Sequence, residues 1–132
     1  MPDIDTVSVT VPSDPGFLHI LRQLTGGVAA KHQLTIDDID DLKLAVDEAA
    51  SSMLTRLPSS SAITLTLGAD GSTVRAIISS DGVADDWPIP GLLESLSWKV
   101  IAGLVGDATA ERDANGRPAI VLRKYMLAAT GR

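Results

Sequence analysis

Two short stretches carry the residues whose types and spacing could do chemistry. In Leu42-Lys-Leu-Ala-Val-Asp-Glu48-Ala-Ala-Ser-Ser52, Glu48 and Ser52 stand four positions apart. On a helix that spacing turns both side chains to one face. A carboxylate so placed can act as a general base toward a hydroxyl, and the serine oxygen offers a metal one neutral ligand. The second stretch, Ser80-Asp81-Gly82-Val83-Ala84, joins an acid to a glycine where backbone could approach a ligand. Each stretch also has a plain reading. Glu48 follows Asp37, Asp38, Asp40, Asp41 and Asp47, and the first of these simply favour a helix N-terminus. Asp81-Gly82 reads equally as an ordinary turn.

Other common sites are absent. The chain has no Gly-x-Ser-x-Gly elbow and no Walker-type phosphate loop. It has no cysteine, which excludes a disulfide framework and any thiolate metal site and fits a reducing compartment. His19 and His32 lie far apart on one predicted helix, so no metal site is expected from them. A net charge of −6 argues against direct nucleic-acid binding, and 3% aromatic residues supply no stacking platform.

The 132 residues, 45% hydrophobic and 21% charged, suit one aliphatic core, so 1–132 is expected to form a single domain. Met1-Pro-Asp-Ile-Asp5 lacks the basic start and apolar stretch of a signal peptide. No apolar run approaches the roughly 20 residues that span a bilayer, so a cytoplasmic protein without membrane contact is expected.

Periodicity gives the elements that must position these stretches. Val7, Val9 and Val11 alternate with polar residues and predict a strand ended by Pro12. Asp14 and Pro15 read as a cap and first-turn proline for a helix through Phe17, Leu18, Leu21, Leu24, Val28 and Ala29. Gly26 and Gly27 weaken that helix or end it early. A second and longest helix is predicted over 35–57, capped by Thr35 with Asp38 three residues on. Ile63, Leu65 and Leu67, then Asp70-Gly71, then Val74, Ala76 and Ile78 predict a hairpin. Residues 79–91 read as a loop, and a third helix is predicted from Glu94 to Val105. Asp113 to Gly116 turns a second hairpin whose return arm runs from Ile120 to Tyr125. The order predicts an α+β sandwich: a mixed, mainly antiparallel sheet of four or five strands with three helices on one face.

The Leu42–Ser52 run resembles the N-box helix of the GHKL superfamily, which includes histidine-kinase ATPase domains, gyrase and anti-sigma-factor kinases. Within it the chain is most similar to the small anti-sigma factors of the serine-protein-kinase type. Ala119-Ile-Val-Leu-Arg-Lys124 resembles their closing strand, and Val100-Ile-Ala-Gly-Leu-Val-Gly-Asp107 the tail of their third helix.

The resemblance implies a nucleotide site built from three boxes, all degenerate here. Glu48 takes the place of the catalytic glutamate. Ser52 replaces the magnesium-binding asparagine with a shorter ligand. In the Asp-x-Gly-x-Gly box, Ser80 replaces the adenine-binding aspartate, Gly82 is kept, and Ala84 replaces the second glycine. A one-residue slide would put Asp81 in the acid's place but on the other strand face, unless a bulge restores it. The phosphate-binding glycines give way to Glu94-Ser-Leu-Ser-Trp98. Trp87 and Trp98 are expected to pack a short, collapsed lid.

What the resemblance implies for function is a binding protein that sequesters a sigma factor and is released by an anti-anti-sigma (STAS-domain) protein. On that reading Glu48 is an inactive relic and no cofactor is used. The alternative is an active serine kinase that phosphorylates the STAS partner with ATP and magnesium. An adaptor outside sigma control is a third option. A homodimer is implied by the resemblance alone.

Overall fold

The computed structural model describes residues 6–126. The Met1–Asp5 stretch read above lies outside them. Five strands form one sheet: β1 (Val7–Pro12), β2 (Ala62–Asp70), β3 (Thr73–Ser80), β4 (Asp107–Arg112) and β5 (Pro118–Tyr125). Their order is β1-β2-β3-β5-β4, and every neighbouring pair is antiparallel. The helices are α1 (Leu18–Ala29), α2 (Ile36–Arg56) and α3 (Leu96–Val105).

Strand alternation decides the two faces of the sheet. Val9 and Val11 register with Leu65 and Ile63, which join Leu67, Val74, Ala76, Ile78, Ile120 and Leu122 in a core under the helices. The polar positions between them pair on the other face. Ser8 bonds Thr66 at 2.8 Å and Thr10 bonds Thr64 at 2.7 Å.

The long helix starts where its cap predicts, with Thr35 Oγ1 accepting from the Asp38 N–H at 3.0 Å. Its buried stripe is rich in small residues, Ala45, Ala49 and Ala50 beside Leu42, Val46 and Met53. Small side chains let α2 lie close between α1 and α3.

Several boundaries differ from the sequence reading. Asp14 caps a short 3-10 turn, Pro15–Phe17, and α1 begins only at Leu18. Gly26 and Gly27 do not end α1, because Val28 and Ala29 beyond them are buried against the core. Tertiary packing outweighs the cost of the two glycines. His32 falls after α1 rather than on it. The third helix begins at Leu96 because the Ser95 hydroxyl accepts from the Trp98 N–H at 3.1 Å, leaving Glu94 outside. It stops at Gly106, which takes a left-handed φ of 86°, so Asp107 opens β4 instead of ending the helix. The return arm of the second hairpin begins at Pro118, two residues before Ile120.

Candidate functional site

Helices α2 and α3 meet at the first stretch. Ser97, in the first turn of α3, donates its hydroxyl to Glu48 Oε2 at 2.6 Å. Glu48, Ser51, Ser52, Thr55, Arg56 and Ser97 line an open cleft of about 180 Å³. The predicted four-residue spacing thus brings Glu48 and Ser52 to one cavity. Ser52 is only 7% exposed, and its Oγ has no hydrogen-bond partner among the described residues. The half-buried Arg56 makes no ion pair there either, so the cleft holds a guanidinium, a carboxylate and several hydroxyls.

The second stretch sits elsewhere. Ser80 is buried at the end of β3, where its hydroxyl bonds Ser60 Oγ at 2.7 Å and accepts from the Gly82 N–H at 2.9 Å. Asp81, its neighbour, is exposed and turned toward the loop that joins α2 to β2. The Asp81 carboxylate accepts from the Ser61 N–H at 2.8 Å, the Ala62 N–H at 3.0 Å, and the Ser60 and Ser61 hydroxyls. These donors, the Ser61 hydroxyl foremost, together outweigh the opposing cost of burial and hold its pKa down at about 2.

Gly82 is needed for a close approach. A Cβ there would lie 3.1 Å from Ser80 Oγ, 3.2 Å from Leu57 Cβ and 3.2 Å from the Ser60 nitrogen. Its neighbours are therefore the chain's own α2–β2 loop. Val83 follows the same pattern, its N–H donating to Ser59 Oγ at 2.8 Å. Asp81, Gly82 and Ala84 line a second cleft of about 270 Å³ with Arg112 and Arg117. Arg112 donates to the carbonyls of Ala84 at 2.6 Å and Asp85 at 3.1 Å, which fixes this loop onto the β4–β5 hairpin.

Trp87 is buried and donates its indole N–H to the Ala119 carbonyl at 3.3 Å, and Trp98 packs half-buried against the core. Trp87 thus joins the core from the segment between β3 and α3, and Trp98 packs against it from α3. No group of three or more His, Asp or Glu side chains that could hold a metal occurs among the described residues. No helix there is long and apolar enough to cross a membrane.

Four contributors, Ser97, Arg56, Ser60 and Ser61, are missing from the sequence reading. Ser97 sits 49 positions from Glu48, and nothing near it marks that partnership. Arg56 follows the N-box-like run by one turn, a spacing that could have flagged it. Ser60 and Ser61 read only as a serine-rich break, although a serine run facing an Asp-Gly pair is a set of ready donors.

The elements follow a strand–helix–helix–hairpin–helix–hairpin order, with Glu48 on the central helix facing the start of α3. No protein-family model matches the chain. Curated relatives do. The chain resembles serine-protein kinase RsbW. It is 40% identical over 48 residues to RsbW of Bacillus velezensis, a stretch covering 36% of this chain and 30% of that protein. RsbW of Bacillus subtilis is 40% identical over 47 residues, 36% of this chain and 29% of its own. The match thus spans under a third of the length of these relatives. Among solved structures, the RsbU and RsbW domains of Rv1364c from Mycobacterium tuberculosis superpose with a TM-score of 0.68 at 16% identity. That superposition covers 96% of this chain and 33% of the other. The histidine kinase domain of the Erythrobacter litoralis EL346 blue-light activated kinase gives 0.54 at 14% identity, over 88% of this chain and 62% of its own. The fold is therefore the α+β fold of RsbW and histidine-kinase ATPase domains: the element order predicts the α+β sandwich, and the resemblance implies this fold.

Proposed function

We propose that this chain is an anti-sigma-type binding protein that acts by holding a sigma factor and is released by a STAS-domain partner, without using a nucleotide. The observation that carries this reading is the strand end at Gly82, where the chain's own Leu57–Ser60 loop takes the close approach to backbone. Asp81, the acid beside Ser80, already accepts from the Ser61 and Ala62 N–H groups that follow this loop. Ser52 gives magnesium a single neutral hydroxyl, a poorer ligand for a hard cation than an amide or carboxylate oxygen. The donor set does not fit a nucleotide–magnesium pair. The RsbW relatives, serine-protein kinases by name, support partner switching in either form, sequestering protein or kinase. The reading places the protein in the cytoplasm, as a homodimer of one-domain chains.

One observation favours the kinase alternative. Glu48 already accepts a serine hydroxyl at 2.6 Å, the contact a general base makes with its substrate. Calorimetric titration with ATP and magnesium separates the two. Losing one buried hydrogen-bond partner costs about 1–3 kcal/mol, up to about 100-fold in affinity. With three boxes altered, no saturable binding is expected below roughly 1 mM. Micromolar binding, with phosphate transfer to a STAS partner abolished by Glu48→Ala, would establish the kinase instead.

A further inference from the structure

Among the described residues, exposed apolar side chains stand on both helices of the outer α2–α3 seam. Two contacts fix how the helices lie. Ser97 bonds Glu48 at 2.6 Å near the start of α3. Near its end, Lys124 bridges the Leu104 carbonyl at 2.6 Å to Asp38 at 3.7 Å and Asp41 at 3.6 Å on α2. The helices therefore run antiparallel, with Leu44 and Val100 between these two clamps.

Leu44 precedes Glu48 by one turn, and Val100 follows Ser97 by one turn, so both continue the solvent side of the seam. Leu44 is 54% exposed, Val100 43% and Leu96 78%, with Leu96 one turn before Val100 on α3. Single exposed leucines need no explanation, but three large apolar side chains on two packed helices mark a surface to account for.

Charge around the stripe is asymmetric. Lys124 engages Asp38 and Asp41, while Asp40 and Asp37, one and two turns before Leu44, are exposed and make no ion pair among the described residues. The α3 side contributes one cation, Lys99.

We propose that this seam, built on Leu44, Leu96 and Val100 with Asp37 and Asp40 at one end, docks an amphipathic basic helix of a protein partner. The proposal rests on the reading that the chain acts by holding a protein. Leucine-like side chains of the ligand would cover the stripe, the mode in which an apolar helix face lies in a groove. Lysines or arginines at one end would meet Asp37 and Asp40, setting direction and speeding encounter.

The test uses the full chain and three fluorescent synthetic peptides: an amphipathic Leu/Lys helix, the same residues scrambled to destroy the stripe, and a Leu/Glu counterpart. The Leu/Lys helix should bind, with amide shifts mapping to residues of α2 and α3 around Leu44 and Val100. Leu96→Gln with Val100→Gln should weaken binding about tenfold or more. Both side chains are exposed, so these variants should keep the parent's circular dichroism. Asp37→Asn with Asp40→Asn should slow association and flatten its salt dependence. Equal binding of the scrambled peptide, shifts elsewhere on the protein, or variants that bind like the parent overturn the proposal. So does sedimentation showing a dimer that Leu96→Gln dissociates, since the occupant is then a second copy. None of these outcomes bears on nucleotide binding, so the ATP titration judges the broader reading separately.

Discussion

The Ser97 hydroxyl donates to Glu48 Oε2 at 2.6 Å, joining the first turn of α3 to the middle of α2. This bond occupies the carboxylate that the resemblance would make a base, and it does so with a side chain of the same molecule. Its two ends are half-buried and face an open cleft, so water can replace either partner.

The bond should therefore contribute modestly to stability. Ser97→Ala is expected to destabilise the protein by about 0.5–1.5 kcal/mol in urea unfolding. Glu48→Ala should cost a similar amount, and the double variant should cost less than the two single values added. Strict additivity would show that the two side chains do not interact in solution. On the proposed function, all three variants keep partner binding.

Which parts of this arrangement were legible in the sequence follows from the range of the interactions involved. The Thr35 cap and Asp38 lie three residues apart, so a local rule found the start of α2. The strand alternation of Val7 to Val11 and Ile63 to Leu67 likewise reports a period of two that needs no tertiary knowledge. The continuation of α1 through Gly26 and Gly27 was not legible, since it depends on burial of Val28 and Ala29 by distant elements. The start of α3 was misplaced because Glu94 suits a first turn, while the Ser95 cap geometry decides. At the site, helix spacing turns Glu48 and Ser52 to one face, and both line one cleft. The same rules could not see Ser97, or that Asp81 would face the loop after α2, because both are long-range pairings.

Two glycines should respond to alanine with opposite signs. At Gly82 the added Cβ meets Leu57 Cβ and the Ser60 nitrogen at 3.2 Å, and the latter is backbone that cannot rotate away. Gly82→Ala is expected to destabilise by about 1–3 kcal/mol. At Gly27, inside α1, a Cβ meets nothing within 4 Å. Gly27→Ala should stabilise by about 0.4–1 kcal/mol through helix propensity and a less flexible unfolded chain. Thermal melts of the two variants beside the parent check both signs, and a neutral Gly82→Ala would mean the loop does not sit against the strand end.

Ser52 offers a cleaner test of its orphaned hydroxyl. A buried polar atom without a partner costs stability relative to a methyl group of similar size. Ser52→Ala should be neutral or stabilising by up to about 1 kcal/mol. If the variant loses more than 1 kcal/mol, the hydroxyl has a partner in solution, such as a bound water that reaches it through the cleft.

Asp81 makes the stability of the α2–β2 loop depend on pH, and the direction can be worked out. Its pKa lies at about 2 in the folded protein, against 3.8 for an unperturbed aspartate, because the Ser61 hydroxyl and the Ser61 and Ala62 N–H groups favour the charged form. The depressed value means the folded state holds its proton less tightly than the unfolded chain does. The stabilisation is therefore complete above about pH 4 and fades as pH falls through 4 toward 2. The group is exposed, so screening by water keeps the contribution small, about 1 kcal/mol for the network as a whole. Asp81→Ala should lower stability by about that amount at pH 7. Between pH 4 and pH 2 the parent should lose more stability than the variant, so the two curves converge. Urea midpoints across that window, for parent and variant, give the comparison directly. A constant gap between them down to pH 2 would show that the carboxylate's charge does not hold the loop.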